Sequence, residues 1–220
     1  MGASIEINKQ AIAAAVTEER FDELHLIKMG LSGESFIVHA PPFGGKDTLA
    51  EIMAIIFEGE WASSGDLLRK AALNAEAQAS IDRGDVVTSD VFFDHALPLI
   101  AGPEQAGKVL WLSAVGRCIG EPPKVLDFLE ARGHKAAAVI YVDVDSVELR
   151  RRRNAGRDGE ARADDGPAQF EHRLSEFQQK TKPAIQQYAD AIPLVRVDGA
   201  KHPHDVALDI IDGLYAVLIG

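Results

Sequence analysis

Apolar positions along the chain fall into short blocks separated by glycine and proline. Ser35–Phe36–Ile37–Val38–His39 is a compact apolar strand candidate. Lys108–Val109–Leu110–Trp111–Leu112–Ser113 and Ala137–Ala138–Val139–Ile140–Tyr141–Val142–Asp143 are continuous apolar runs without alternation. Continuous runs suit strands covered on both faces, as in a parallel sheet. Pro193–Leu194–Val195–Arg196–Val197 predicts a last strand before a turn at Asp198–Gly199. Helical spacing appears between these blocks, over Leu49–Ile56 and over Pro123–Arg132 with Gly133 as its stop. A closing helix is predicted over Pro203–Leu218, with Val206, Ile210, Leu214 and Val217 on one face. Upstream, Ala11–Val16 and the apolar Phe21, Leu24, Leu26 and Ile27 predict a helical N-terminal extension over 1–34, to which no chemistry is assigned. The main domain is expected over 35–220. Its opening unit, strand, glycine-bearing loop and helix, predicts an α/β fold of three layers around a parallel sheet.

Composition narrows the function classes. At 220 residues, 46% hydrophobic and 26% charged, the chain can bury a full core. A net charge of -11 argues against nonspecific nucleic-acid binding, so any local cluster of arginines needs a reason. No apolar run approaches a membrane span, and Met1–Gly2–Ala3 opens no signal segment. The single Cys118 allows no internal disulfide. These features lead to the expectation of a cytoplasmic protein. The histidines are too scattered for a metal cluster, and Trp61 and Trp111 are expected to anchor the core or a lobe.

The segment from Ala40 to Thr48 carries the first candidate chemistry. A polyphosphate is held by consecutive backbone N–H groups leading into a helix N-terminus, together with one lysine. The general pattern is Gly, four residues, Gly, Lys, then Ser or Thr. Gly45 and Lys46 match it. Ala40 stands at the first glycine, and Asp47 precedes Thr48.

Five ordered segments after residue 35 carry a wider pattern. Pro42, Gly45, Lys46 and Thr48 fit Gly-x-Pro-Gly-x-Gly-Lys-Gly-Thr. Ser64–Gly65–Asp66–Leu67–Leu68–Arg69 and Gly84–Asp85–Val86–Val87–Thr88–Ser89–Asp90 follow. Arg162–Ala163–Asp164–Asp165 comes next, with Arg173 eleven positions after its first arginine, and then Val197–Asp198–Gly199–Ala200–Lys201. In these the chain resembles the nucleoside monophosphate kinases of the adenylate kinase family. The resemblance implies a P-loop NTPase fold with a small helical monophosphate-binding lobe over 63–95 and a short lid over 154–162. It also implies reversible phosphoryl transfer from ATP to a nucleoside monophosphate, most readily AMP, with Mg2+ bridging donor phosphates.

By the same resemblance, Pro42, Gly44, Gly45, Lys46, Asp47, Thr48, Arg153 (or Arg152), Arg157, Ala200 and Lys201 face the donor nucleotide. Ser64, Gly65, Arg69, Val86, Val87, Arg117 and Glu121 face the acceptor. Lys46, Arg117, Arg162 and Arg173 act on the phosphates in transfer, and Thr48 is a contact for magnesium, which is held mostly through water. Arginine suits this task because its planar fork binds phosphate oxygens in pairs and stays charged. Most of the run Arg150–Arg153 also fits a solvated helix face.

The chain departs from the family at several points. Ala40, Phe43 and Asp47 replace glycines of the loop. Ser113–Ala114–Val115–Gly116–Arg117 stands where the family has Asp-Gly-Phe-Pro-Arg, so the strand-end carboxylate is lost. Glu121 falls at a family glutamine that reads adenine. A carboxylate only accepts hydrogen bonds, so it suits guanine better; equally, Glu121 is a helix N-terminal acid before Pro122–Pro123. These departures also leave open a degenerate nucleotide-binding regulator, with residues 1–34 as a docking or self-association element.

Overall fold

The computed structural model describes residues 7–71, 73–156 and 165–220. Two helices, α1 (Lys9–Glu19) and α2 (Phe21–Met29), precede β1 (Ser35–His39) and α3 (Lys46–Ile56). Then come β2 (Glu60–Ser63), α4 (Ser64–Lys70), α5 (Ala75–Arg83), α6 (Ser89–Val91) and α7 (Leu97–Ile100). The chain returns through β3 (Leu110–Ser113), α8 (Glu121–Glu130) and β4 (Ala136–Asp143). It ends with α9 (Ser146–Ala155), α10 (Pro167–Glu176), α11 (Lys182–Ala189), β5 (Leu194–Asp198) and α12 (Pro203–Leu218).

Among the described residues the strands form one sheet in the order β2-β3-β1-β4-β5, with every neighbouring pair parallel. The expected three-layer α/β architecture is the one observed. Side chains alternate across the sheet. Phe36, Val38, Trp111, Ile140 and Val142 face α1, α2, α3 and α12, whereas Ile37, Leu110, Leu112 and Val139 face the lobe helices, α8 and α11. Trp111 is fully buried and stacks on Phe36 with ring centroids 4.5 Å apart. Burial of each large side chain contributes about 1.5–3 kcal/mol, so strands wetted on neither face need the apolar runs seen in the sequence.

The N-terminal helices belong to this core. Val16, Leu24 and Ile27 are at most 2% exposed, and Arg20 reaches across to Asp212 of α12 at 2.6 Å. Phe21 and Leu26, by contrast, lie exposed. β2 escapes a reading by hydrophobic runs because it is a four-residue edge strand that begins exposed. Val217, predicted on the buried face of the last helix, is instead 39% exposed in the final turn, one turn past Leu214, the last buried residue of α12. Among the described residues no helix is long and apolar enough to cross a membrane.

The order of the strands positions the site. From β1 the chain crosses toward β2 through α3; from β3 it crosses the other way, past β1, to β4. A crevice opens at the C-terminal ends of β1 and β3, where the two connections diverge.

Candidate active site

The loop after β1 is shaped by close contacts. The Gly44 N–H donates to the Pro41 carbonyl at 2.9 Å, closing a turn. A Cβ on Gly44 would lie 2.7 Å from the Ala40 Cβ and 2.9 Å from the Pro41 oxygen, so only glycine fits. Phe43 takes φ of 62°, a left-handed conformation that ordinary side chains resist, and its ring is held edge-on against Phe170 at 5.8 Å. Ala114, after β3, likewise sits at φ of 58°. Both positions align with glycines of the motifs the chain resembles, and both keep a backbone conformation that glycine adopts freely. α3 then begins at Lys46, so its unpaired first-turn N–H groups and positive dipole end face the crevice.

Three cations gather behind this loop. The Lys46 ammonium donates to the Asp47 carboxylate at 3.0 Å. Burial pushes its pKa down; Asp47 opposes the shift, while Arg173 and Arg117 add to it. Arg117 follows β3 and is also lowered, first by burial, with Cys118, Glu121, Glu176 and Asp47 offsetting. Arg173, on α10, is 14% exposed and donates to Asp165 at 3.5 Å. Its stem lies over Gly84, where a Cβ would meet the Arg173 Cγ at 2.7 Å. The lobe and α10 are joined further by the Val86 N–H, which donates to Glu176 at 3.2 Å. Mutual repulsion among desolvated cations is unfavourable in the empty protein and becomes favourable around a polyanion.

A cleft of about 990 Å³ opens from this cluster, lined by Phe43 to Leu49, Trp61, Asp66, Arg151, Arg152, Arg173 and the 199–203 segment, among others. Its far wall is built by α9 and the loop after β5. Arg152 donates to Glu148 at 2.7 Å and to the Gly199 carbonyl at 2.6 Å. Hydrogen bonding by Arg151 holds the Glu148 pKa at about 2, with Arg152 contributing.

The residues expected to face the donor are distributed unevenly. Gly44, Gly45, Lys46, Asp47, Thr48, Ala200 and Lys201 line the cleft, and Pro42 is buried in the loop behind it. Of the two arginines considered from α9, Arg152 reaches the cleft, while Arg153 is absent from its lining and donates to Asn154 at 2.8 Å. Arg157, Arg162, Asp164 and most of the expected lid lie outside the described residues. On the acceptor side, Arg69 pairs with Asp66, whose carboxylate side of α4 lines the cleft, and its guanidinium passes beside Gly65. Ser64 donates to the Ala114 carbonyl at 2.5 Å, tying the lobe to the end of β3. Val86 and Val87 are buried. Glu121 is buried as well, accepting from the Ser89 hydroxyl at 2.7 Å and from the Cys118 N–H at 2.9 Å.

Two features go beyond what the sequence implies, since the scattered histidines there point only to surface or packing roles. His39 ends β1 at 1% exposure; its Nε2 finds no hydrogen-bond partner among the described residues, and burial, with Arg117 and Lys46 nearby, drives its pKa to about 3. Glu176 balances Arg117 from α10. A polar residue closing an otherwise apolar strand is a legible signal for the first; the second depends on how α10 packs.

No family model matches the chain. Among curated relatives, the adenylate kinase of Rhizobium meliloti is 30% identical over 181 residues, spanning 77% of this chain and 94% of the relative. The adenylate kinase of Micrococcus luteus is 30% identical over 186 residues, spanning 82% and 90%. The chain belongs to the adenylate kinase family. A further adenylate kinase, from Brucella ovis, is 28% identical over 185 residues. This family member is therefore a nucleoside monophosphate kinase, a phosphotransferase that binds ATP and other nucleotides. Its fold is that of P-loop NTPases, with the parallel sheet and the loop-to-α3 junction in the expected places.

Proposed function

We propose that the protein transfers the terminal phosphoryl group of ATP reversibly to AMP, giving two molecules of ADP. The gathering of Lys46, Arg117 and Arg173 behind the loop after β1 is the observation that carries this reading. Two polyanions repel each other, and the attacking phosphate oxygen is already anionic, so the reaction calls for charge neutralisation, alignment and exclusion of water more than for a base. The loop N–H groups and Lys46 hold the donor phosphates. Arg117 and Arg173 stand between donor and acceptor, where the transferring group carries its charge, and Arg69 holds the acceptor phosphate. Arg152, Ala200 and Lys201 form the wall against which the donor base and ribose lie. Asp47 and Thr48 offer hard oxygen donors at the loop, which suits Mg2+ held largely through water. Magnesium, when bound, would supply charge neutralisation at the donor phosphates.

A second reading concerns the acceptor base. Glu121 is a buried carboxylate used only as an acceptor, toward Ser89 and Cys118, which favours a base edge that donates, as in guanine. A coupled assay with ATP, Mg2+ and AMP, GMP, CMP, UMP or dTMP separates the two. AMP is expected to give the highest kcat/KM. Preference for GMP, reversed toward AMP in Glu121→Gln, supports the guanine reading, and no turnover with any acceptor refutes both.

A further inference from the structure

The arrangement of Asp47 and Ser113 is unusual for a phosphate loop. In P-loop proteins the residue following the loop lysine supplies a hydroxyl toward Mg2+, and a carboxylate comes from the end of a neighbouring strand. Here the residue following Lys46 is Asp47, and the end of β3, the strand beside β1, is Ser113. The two side chains meet: the fully buried Ser113 hydroxyl donates to Oδ1 of Asp47, while Lys46 donates to Oδ2 at 3.0 Å. The family carries glycine at the first of these places and aspartate at the second, so the carboxylate has moved from the strand end to the loop while Thr48 keeps the loop hydroxyl.

We propose that the metal-directed carboxylate of this protein is carried by the phosphate loop, as Asp47, and that Ser113 is the positioning residue that orients it. The assignment rests on the ATP-dependent phosphotransferase reading above. Its chemistry follows from the contacts. A hydroxyl that donates to Oδ1 fixes the rotamer of a carboxylate at the first turn of α3, on the lining of the cleft. With Lys46 turned toward phosphate, Oδ2 is the atom that would meet magnesium or its waters. The net charge of the layer is the same as with a strand-end carboxylate, so the exchange keeps the electrostatic balance that Mg2+ requires. Placing a second carboxylate at 113 without removing Asp47 would bring two like charges together.

The test compares ATP affinity with Mn2+ present and in EDTA, following bound Mn2+ by its electron paramagnetic resonance signal. Asp47→Asn keeps the shape of the side chain and removes the charge. It is expected to reduce the affinity gain conferred by Mn2+ roughly 10- to 100-fold, the gain being taken relative to the same variant's own metal-free ATP affinity. Ser113→Ala is expected to lose part of the same gain and Ser113→Thr to restore it. The exchanged pair Asp47→Gly with Ser113→Asp, which returns the carboxylate to the strand end, is expected to recover most of the gain lost in Asp47→Asn. An unchanged Mn2+ gain in Asp47→Asn overturns the assignment, even if the buried Ser113→Asp change prevents the exchanged pair from folding. Absence of ATP binding by the unaltered protein, with or without Mn2+, is a different result and removes the underlying phosphotransferase reading.

Discussion

His39 gives the fold an acid-sensitive element whose size can be worked out. The ring is 1% exposed at the C-terminal end of β1, its Nε2 lacks a partner among the described residues, and Tyr188 lies beside it with ring centroids 5.7 Å apart. Burial, then Arg117 and Lys46, hold its pKa at about 3 against a backbone hydrogen bond at Val115 that acts in the opposite direction. The folded ring is therefore neutral throughout ordinary pH, whereas the unfolded chain takes up a proton below about pH 6.5. A pKa lowered by folding means stability that is complete above the unfolded pKa and is lost as pH falls toward the folded value. Each pH unit in that window costs about 1.4 kcal/mol, so the loss between pH 7 and pH 5 from this one residue is about 2 kcal/mol. His39→Leu removes the titrating group while keeping an apolar side chain in the core. Urea denaturation of both proteins at pH 7 and pH 5 should show the unaltered protein losing about 2 kcal/mol more than the variant. Equal losses would mean that the ring is already protonated, or reached by water, in the folded state, and the burial argument would fail.

Three further outcomes are expected. Gly116 takes φ of 66°, and a Cβ there would overlap the Tyr188 hydroxyl; Gly116→Ala should lower unfolding stability by roughly 3 kcal/mol, read by denaturant titration. Tyr188→Phe leaves the ring in place but removes the hydrogen bond to the Val115 carbonyl at 3.0 Å, and should cost about 1–2 kcal/mol in the same measurement. Lys46→Met should cut kcat by a factor on the order of 10³ in the coupled assay while leaving the unfolding midpoint unchanged or raised, because burial already disfavours the ammonium in the empty protein.

The main strands and the closing helix were legible because their physical cause is local. A strand covered on both faces needs an unbroken apolar run, and β1, β3 and β4 each have one. β2 has none, since an edge strand can remain half wet. The loop lysine and its glycines could be read because a turn leading into a helix demands particular residues at adjacent positions. Among the α9 arginines, sequence left two adjacent positions open, and helix phase decides between them: Arg152 lies one turn from Glu148 and beside Gly199, whereas Arg153 turns toward Asn154.

By itself, the amino-acid sequence determined the layered α/β class, the lysine-bearing loop and the family to which the chain belongs. Those depend on the order of apolar runs and on short motifs whose residues are neighbours in the chain. Tertiary structure alone decided which charges meet. The pairing of Asp47 with Ser113, the hold of Glu176 on Arg117 and the silencing of His39 each join residues far apart along the polypeptide. Coulomb energies and desolvation depend on distance through space and on the exclusion of water, and neither quantity exists until the sheet and its helices have packed.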